Sequence, residues 1–262
     1  EGLVSWWRNE GGLPPAWEVA AMPPDSYYLV MTHSHAIDFD MMPEDVELRV
    51  GSVIVAVGFQ EFDARKLGNY GYGRFPNVIT SLELERMLNA SGVTRGHVIR
   101  PSDKKTPRRI VFVQCVGARG DGGRPYCSRF CCMNAVKDSM LMRQHDPGIE
   151  EITILYTDLR AFGKGFDDFV KRSLDEQSAT YVRGRPAKIY HNPDGDTLEV
   201  FVEDTLGHQQ TRIPADMVVL SQDKSDVEGT RRMMRDLYEL FEKKTGIILN
   251  KIPFEHLGAA QK

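Results

Sequence analysis

All four cysteines of this 262-residue chain lie in one short stretch, residues 114–133, QCVGARGDGGRPYCSRFCCM. They are Cys115, Cys127, Cys131 and Cys132, in the pattern C-x11-C-x3-C-C. Thiols gathered this closely suit three chemistries: inert burial, disulfide pairing or metal binding. Disulfides need an oxidising compartment, and adjacent Cys131 and Cys132 would form a strained bridge. Metal binding is the favoured reading. Zinc prefers pairs spaced C-x2–4-C, so that two sulfurs meet one ion. Adjacent thiolates chelating a single zinc would close an awkward small ring, whereas a four-iron cubane offers separate irons to neighbouring sulfurs. A cluster held by four thiolates is anionic, and Arg119, Arg124 and Arg129 share its loop. An iron–sulfur cluster is therefore expected ahead of zinc.

The elements around the loop must present it at the edge of a sheet. RIVFVQ (residues 109–114) reads as a buried strand, and CMNAVKDSMLMRQH as a helix with Met133, Val136 and Met140 on one face. EITILYTD reads as a strand, and GFDDFVKRSLDEQ as a helix with an apolar stripe of Phe166, Phe169, Val170 and Leu174. ATYVRG is a third strand. This β-loop-α-β-α-β order predicts an α/β fold, a Rossmann-like parallel sheet with helices on its faces. Ligands of such sheets sit at the carboxyl ends of strands, where the cysteine loop lies in place of a G-x-G-x-x-G turn. A β-meander follows: PAKIYHN, a turn at Pro193, Asp194 and Gly195, TLEVFVED, and a strand over 211–213. DMVVLS returns as a buried strand, and residues 224–244 as an amphipathic helix with Met233, Leu237 and Leu240 as its stripe. Upstream, TSLELERML is a helix capped by Thr80 or Ser81, residues 60–80 a loop, and 46–50 and 52–57 strands. Residues 1–30, rich in Trp, Pro and Gly, read as an irregular arm.

Composition narrows the function classes. Apolar residues make up 41% and charged residues 27%, the proportions of an ordinary soluble domain. A formal charge of −4 and the lack of a long basic run argue against a nucleic-acid partner. No apolar run is long enough to span a bilayer. The segment EGLVSWWRNEGG lacks the basic start and apolar core of a signal peptide, so a reducing cytoplasm is expected. A start at Glu rather than Met suggests a fragment or a processed product.

Several lesser candidates have plain structural alternatives. His33 and His35 form H-x-H, a possible metal pair but more often an exposed loop. Lys164 in FGKGF (162–166) opens a helix on the cysteine-loop edge and suits an anion or a partner; a flexible turn is the alternative. Tyr70, Tyr72 and Phe75 suit a flavin wall, though loop aromatics usually pack. No Ser–His–Asp or Cys–His arrangement stands out, so no catalytic residue is assigned.

The segments AIDFDMMPEDVELRVGSVIVAVGFQEFDARKLGNYGYGRFPNVITSLELERML, GHVIRPSDKKTPRRIVFVQCVGAR, PYCSRFCCMNAVK and DLRAFGKGF resemble the iron–sulfur flavoprotein (A-type) subunits of CoB–CoM heterodisulfide reductase. They are also similar to related flavoprotein subunits of quinone-modifying oxidoreductases. The resemblance runs from about Ala36 to Ser221, and the cysteine pattern is its most specific part. It implies a thioredoxin-reductase-like nucleotide domain and a [4Fe–4S] cluster on Cys115, Cys127, Cys131 and Cys132. It also implies FAD contact at Ala56, Val57 and Gly58, where Val replaces the Thr of the family's A-T-G motif. Electron transfer between flavin and clusters on other subunits of such a complex follows from it. The family's N-terminal G-x-G-x-x-G, its later Gly-Asp segment and its ferredoxin-like insert are absent from this sequence. A shortened relative is therefore expected, with an arm over 1–35, a remnant of the FAD domain and hinge over 36–106, a Rossmann-like domain over 107–222 and a helical tail over 223–262. The alternative is a zinc-stabilised or metal-free interaction module.

Overall fold

The computed structural model describes residues 59–120, 123–176 and 178–225, together with Met42 and positions 235, 236, 239, 240, 242 and 243. The chain divides into two compact units, Glu1–Val55 and Ala56–Lys262, and every described residue except Met42 lies in the second.

Strand β1 (Gln60–Glu61) leads into two 3-10 turns, Ala64–Lys66 and Gly68–Tyr70, then β2 (Val78–Thr80) and α1 (Ser81–Leu88). Next come β3 (Arg109–Val116), α2 (Cys131–His145), β4 (Glu151–Tyr156), α3 (Phe166–Asp175) and β5 (Thr180–Arg183). The meander is β6 (Pro186–Asn192), β7 (Thr197–Asp204) and β8 (Gln209–Ala215), followed by β9 (Met217–Gln222) and β10 (Lys224–Ser225). Five strands form a parallel sheet in the order β2-β9-β3-β4-β5, so the core is the expected Rossmann-like α/β sheet. The meander is a separate antiparallel sheet.

Alternation along the strands decides what covers each face, because successive side chains point to opposite sides. Ile110 and Phe112 of β3, with Ile152, Ile154, Met217 and Val219, pack against Leu84 and Leu88 of α1 and Ala135 and Met142 of α2. Val111 and Val113, with Leu155, Val218 and Leu220, pack against Ile189, Leu198, Val200 and Val202 of the meander. Helices therefore cover one face of the sheet and the meander the other. This arrangement explains the continuous apolar runs Ile110–Val113 of β3 and Met217–Leu220 of β9: both faces are buried. Burial of a side chain such as Phe112 stabilises by about 1.5–3 kcal/mol.

Two polar devices fix the frame of the site. Thr80 caps α1: the Glu83 amide donates to Thr80 Oγ1 at 3.1 Å and the Thr80 amide donates to Glu83 Oε2 at 2.6 Å. Asp216, just before β9, accepts from the amides of Arg108 and Arg109 at 3.0 and 2.9 Å and from Arg109 Nη2 at 3.0 Å. It ties the starts of β3 and β9 together, so their carboxyl ends finish side by side, with Val116 opposite Gln222.

Several elements differ from expectation. β2 lies within the segment read as a loop, because three residues are too few to show a period. The stripe on α3 is only partly covered: Phe166 is 42% and Leu174 48% exposed, and Ser173 is the buried residue of the helix. On α2, Val136 and Met140 are buried as expected, but Met133 is half-buried, while Asn134, Asp138 and Ser139 are buried too. Lys224 and Ser225 are extended rather than helical, because they pair with β1. The described positions between 235 and 243 are helical, and Leu240 is exposed rather than buried. The arm and the strands expected over 46–50 and 52–57 lie outside the described residues.

Candidate functional site

Cys115 belongs to β3 rather than to the loop after it. Its register with β9 breaks between Val113 and Val116, and Cys115 itself takes φ 60°. Such a bulge bends a strand end and re-aims a side chain. Gly117 follows at φ 74°, with the Phe62 ring so close that a Cβ would sit 2.2 Å from its Cγ. Only glycine fits there without displacing that ring. The loop then closes on itself: Arg119 N donates to Arg124 O, and Arg124 N to Gly117 O, both at 2.8 Å.

The other three thiols gather at the start of α2. Arg129, at φ 60°, directs its amide to Cys127 Sγ at 3.3 Å. Cys131 and Cys132 form the first turn of the helix, which has no side-chain N-cap. Its leading N–H groups and positive dipole end thus favour negative charge. The Cys131 thiol donates to Gln222 O at 3.2 Å and lies 3.1 Å from Ser128 Oγ. The Cys132 thiol donates to Asp158 O at 3.5 Å. The site therefore draws on the ends of β3 and β9, the loop after β4 and the start of α2.

The four sulfurs act on one another electrostatically. Burial pushes the Cys115 thiol up, with the Arg119 charge opposing and Cys127 adding. Burial pushes Cys131 up to about 12, with Ser128 opposing and Cys115 and Cys132 adding. Burial also raises Cys132, against a hydrogen bond from the Arg160 amide and with Cys115 and Cys127 adding. At Cys115, Cys131 and Cys132 burial outweighs the opposing charges, so these three metal-free thiols stay protonated and are weak nucleophiles. Binding a metal must expel their protons.

Cations surround the sulfurs and are themselves anchored. Arg119 Nη2 donates to Asp158 Oδ2 at 2.6 Å, and Arg124 Nη1 to the buried Asp223 at 3.1 Å. Arg185 Nη2 reaches the carbonyls of Cys115 and Ala118 at 3.0 and 3.3 Å. At this end of the sheet, the Gln114 amide group, Arg119 Nη1, Ser221 Oγ, Gln222 Oε1 and Asp223 Oδ1 are buried without a hydrogen-bond partner. Buried polar groups are normally satisfied, so these groups leave hydrogen-bonding capacity open at this end of the sheet. Among the described residues, no three His, Cys, Asp or Glu side chains are drawn in around a single metal ion.

The remaining candidates fall elsewhere. Ala56, Val57, Gly58, His33 and His35 lie outside the described residues. Tyr70 is buried with its hydroxyl on Pro186 O, Tyr72 donates to Glu83, and Phe75 stacks on His191 at 5.3 Å; all three pack into or against the meander-side core. Phe162 of the FGKGF turn lies under the Arg129 guanidinium at 4.7 Å, so that turn adjoins the thiol loop, and Lys164 is exposed. Asp158, Arg185 and Gln222 could not be picked out from the sequence, since each is remote in the chain and only the sheet brings it to the sulfurs.

No protein-family model matches the chain. Among curated proteins, it is 52% identical over 189 residues to one of the A-type iron–sulfur subunits of the CoB–CoM heterodisulfide reductase of Methanopyrus kandleri, covering 71% of this chain and 28% of that protein. It is 50% identical over 189 residues to the A-type subunit of the H2/formate:CoB–CoM heterodisulfide,ferredoxin reductase of Methanococcus maripaludis, covering 72% and 29%. Among solved structures, the thioredoxin reductase of T. acidophilum aligns with a TM-score of 0.37 at 11% identity, covering 64% of this chain and 42% of that one.

Proposed function

Over 71% of its length this chain is a relative of the A-type subunits of heterodisulfide reductase, of which it spans less than a third, and from that premise we propose that it is an iron–sulfur electron-transfer component of a related multi-subunit oxidoreductase. Cys115, Cys127, Cys131 and Cys132 would hold a [4Fe–4S] cluster, which when bound supplies one-electron transfer. The observation that supports this reading is the placing of four free thiols at the end of β3, in the loop after it and at the start of α2, a helix without a side-chain cap, with Arg119 and Arg185 beside Cys115. A zinc ion would draw all four sulfurs to about 2.3 Å from one centre. A cubane spreads its ligands over separate irons, which suits the adjacent Cys131 and Cys132.

The protein's own groups have definite tasks. The amide of Arg129 already donates to Cys127 Sγ, and such bonds to sulfur stabilise the charged thiolate. Arg119 offers its unpartnered Nη1 beside Cys115. The bulge at Cys115 and the tight turn at Gly117 would set the direction of the first ligand. Ala56, Val57 and Gly58 would adjoin FAD only in an assembly that completes the flavin site, since the glycine motif for its pyrophosphate is absent from this sequence, and other subunits of the complex would supply or take the electrons. Among the described residues no helix is long and apolar enough to cross a membrane. Free thiols suit the reducing cytoplasm.

The test is iron and acid-labile sulfide per chain after anaerobic purification, on the parent and on Cys131→Ala. About four of each in the parent, lost in the variant, is the expected result. Zinc, or no metal, would overturn the reading and leave an interaction module.

A further inference from the structure

Among the described residues, Lys224 is the least exposed lysine side chain in any ion pair, at 6%. Its ammonium lies 4.6 Å from the centroid of the Phe130 ring and 5.0 Å from that of Phe59, and the two rings are 6.4 Å apart. Its carboxylate partner, Glu61, stands opposite it in the β1–β10 pair, at 4.0 Å, too far for a hydrogen bond. Lysines are rarely buried, and a buried charge held by a long ion pair is a weak source of stability. Its position suggests another use. Phe130 directly precedes Cys131, and Gln222, two residues before Lys224, accepts the Cys131 thiol. A positive charge that rests against two neighbouring rings and is itself buried is already in place when negative charge appears nearby, so its effect is preorganised.

We propose that Lys224 is a fixed positive charge that tunes the cysteine-bound cluster, making it easier to reduce, with Glu61 as the opposing charge. This rests on the cluster assignment above. Reduction adds one electron, and so one negative charge, to a centre that is already anionic; no bond forms or breaks and no proton is required. The ammonium favours that added charge, and Glu61 disfavours it.

The experiment is a potentiometric titration at pH 8 of the cluster-loaded chain, with dithionite as reductant and paramagnetic resonance of the reduced cluster as the signal. The set is the parent, Lys224→Met, Lys224→Arg and Glu61→Gln. In Lys224→Met the ratio of reduced to oxidised cluster at a fixed potential should fall at least threefold, about 28 mV for one electron where tenfold is 59 mV. In Lys224→Arg, which keeps the charge, it should stay within twofold. In Glu61→Gln it should rise at least threefold, so the inference remains testable if Lys224→Met fails to fold. Iron-loaded variants that all stay within twofold of the parent would overturn this inference alone. A parent that binds no iron would overturn it together with the proposed function.

Discussion

Replacing Gly117 by Ala tests whether the turn after Cys115 is as tightly constrained as the geometry indicates. Two costs add. An L residue at φ 74° takes on left-handed strain of about 1–2 kcal/mol. The new Cβ would stand 2.2 Å from Phe62 Cγ, so the ring must move, an overpacking cost of about 1–3 kcal/mol. The expected loss is therefore about 2–5 kcal/mol. Gly165, before α3, provides the internal control: it takes φ 82° but has nothing within 4 Å of its Cβ position. Gly165→Ala should carry the backbone cost alone, about 1–2 kcal/mol. The assay is urea unfolding of the metal-free, reduced protein, with coincident probes to verify a two-state transition. Adding Phe62→Ala to Gly117→Ala should recover the steric part and leave the backbone part, a coupling visible in a double-mutant cycle. Equal losses for the two glycine variants, within about 0.5 kcal/mol, would refute the claim that the Phe62 ring confines the turn.

Two further expectations concern pH. Burial holds Cys131 at about 12 against an ordinary 9.0, so the folded chain keeps a proton that the unfolded chain releases. Stability of the metal-free protein should therefore fall as pH rises from about 9 toward 12, and the fall should be shallower in Cys131→Ala, measured by urea unfolding; equal slopes would count against a buried neutral thiol. Asp138 on α2 is pushed up to about 7 by burial, with Glu85 adding and Lys137 opposing. The folded state binds its proton more tightly than the unfolded state, so stability should decline between about pH 4 and 7. Asp138→Asn should remove that decline; an unchanged pH profile would show that Asp138 is ionised throughout.

Much of the frame was legible because its elements carry strong periods. β3, β4 and β9 are short apolar runs flanked by polar turns, and the meander alternates around Pro193, Asp194 and Gly195. The apolar run before the loop and the helical stretch after it placed the loop correctly at a strand's carboxyl end. What stayed hidden is tertiary. A two-residue strand such as β1 has no period at all, and β10 looked helical because charged residues follow it. The stripe of α3 suggested burial, but Phe166 and Leu174 stay half exposed, since an apolar spacing reports a face and not what covers it. Asp138 and Ser139 are buried on α2 because hydrogen bonds from Asn134 to Asp138, and from Ser139 to Val136 O, make that burial tolerable.

The electrostatics of the thiol site explain why so many cations can stand near sulfurs that remain neutral. Arg119, Arg124 and Arg185 are each held by a partner of their own: Asp158, Asp223 and the backbone carbonyls of Cys115 and Ala118. Those partners absorb most of the positive field, so desolvation decides the protonation of Cys115, Cys131 and Cys132. The balance reverses once thiolates form. Arg119 has a second nitrogen without a partner, and α2 begins with free amides. New negative charge therefore meets donors already in position and requires little rearrangement of the loop. Cys115 and Cys132 are buried at the end of the sheet, and Cys127 and Cys131 are half-buried beside them.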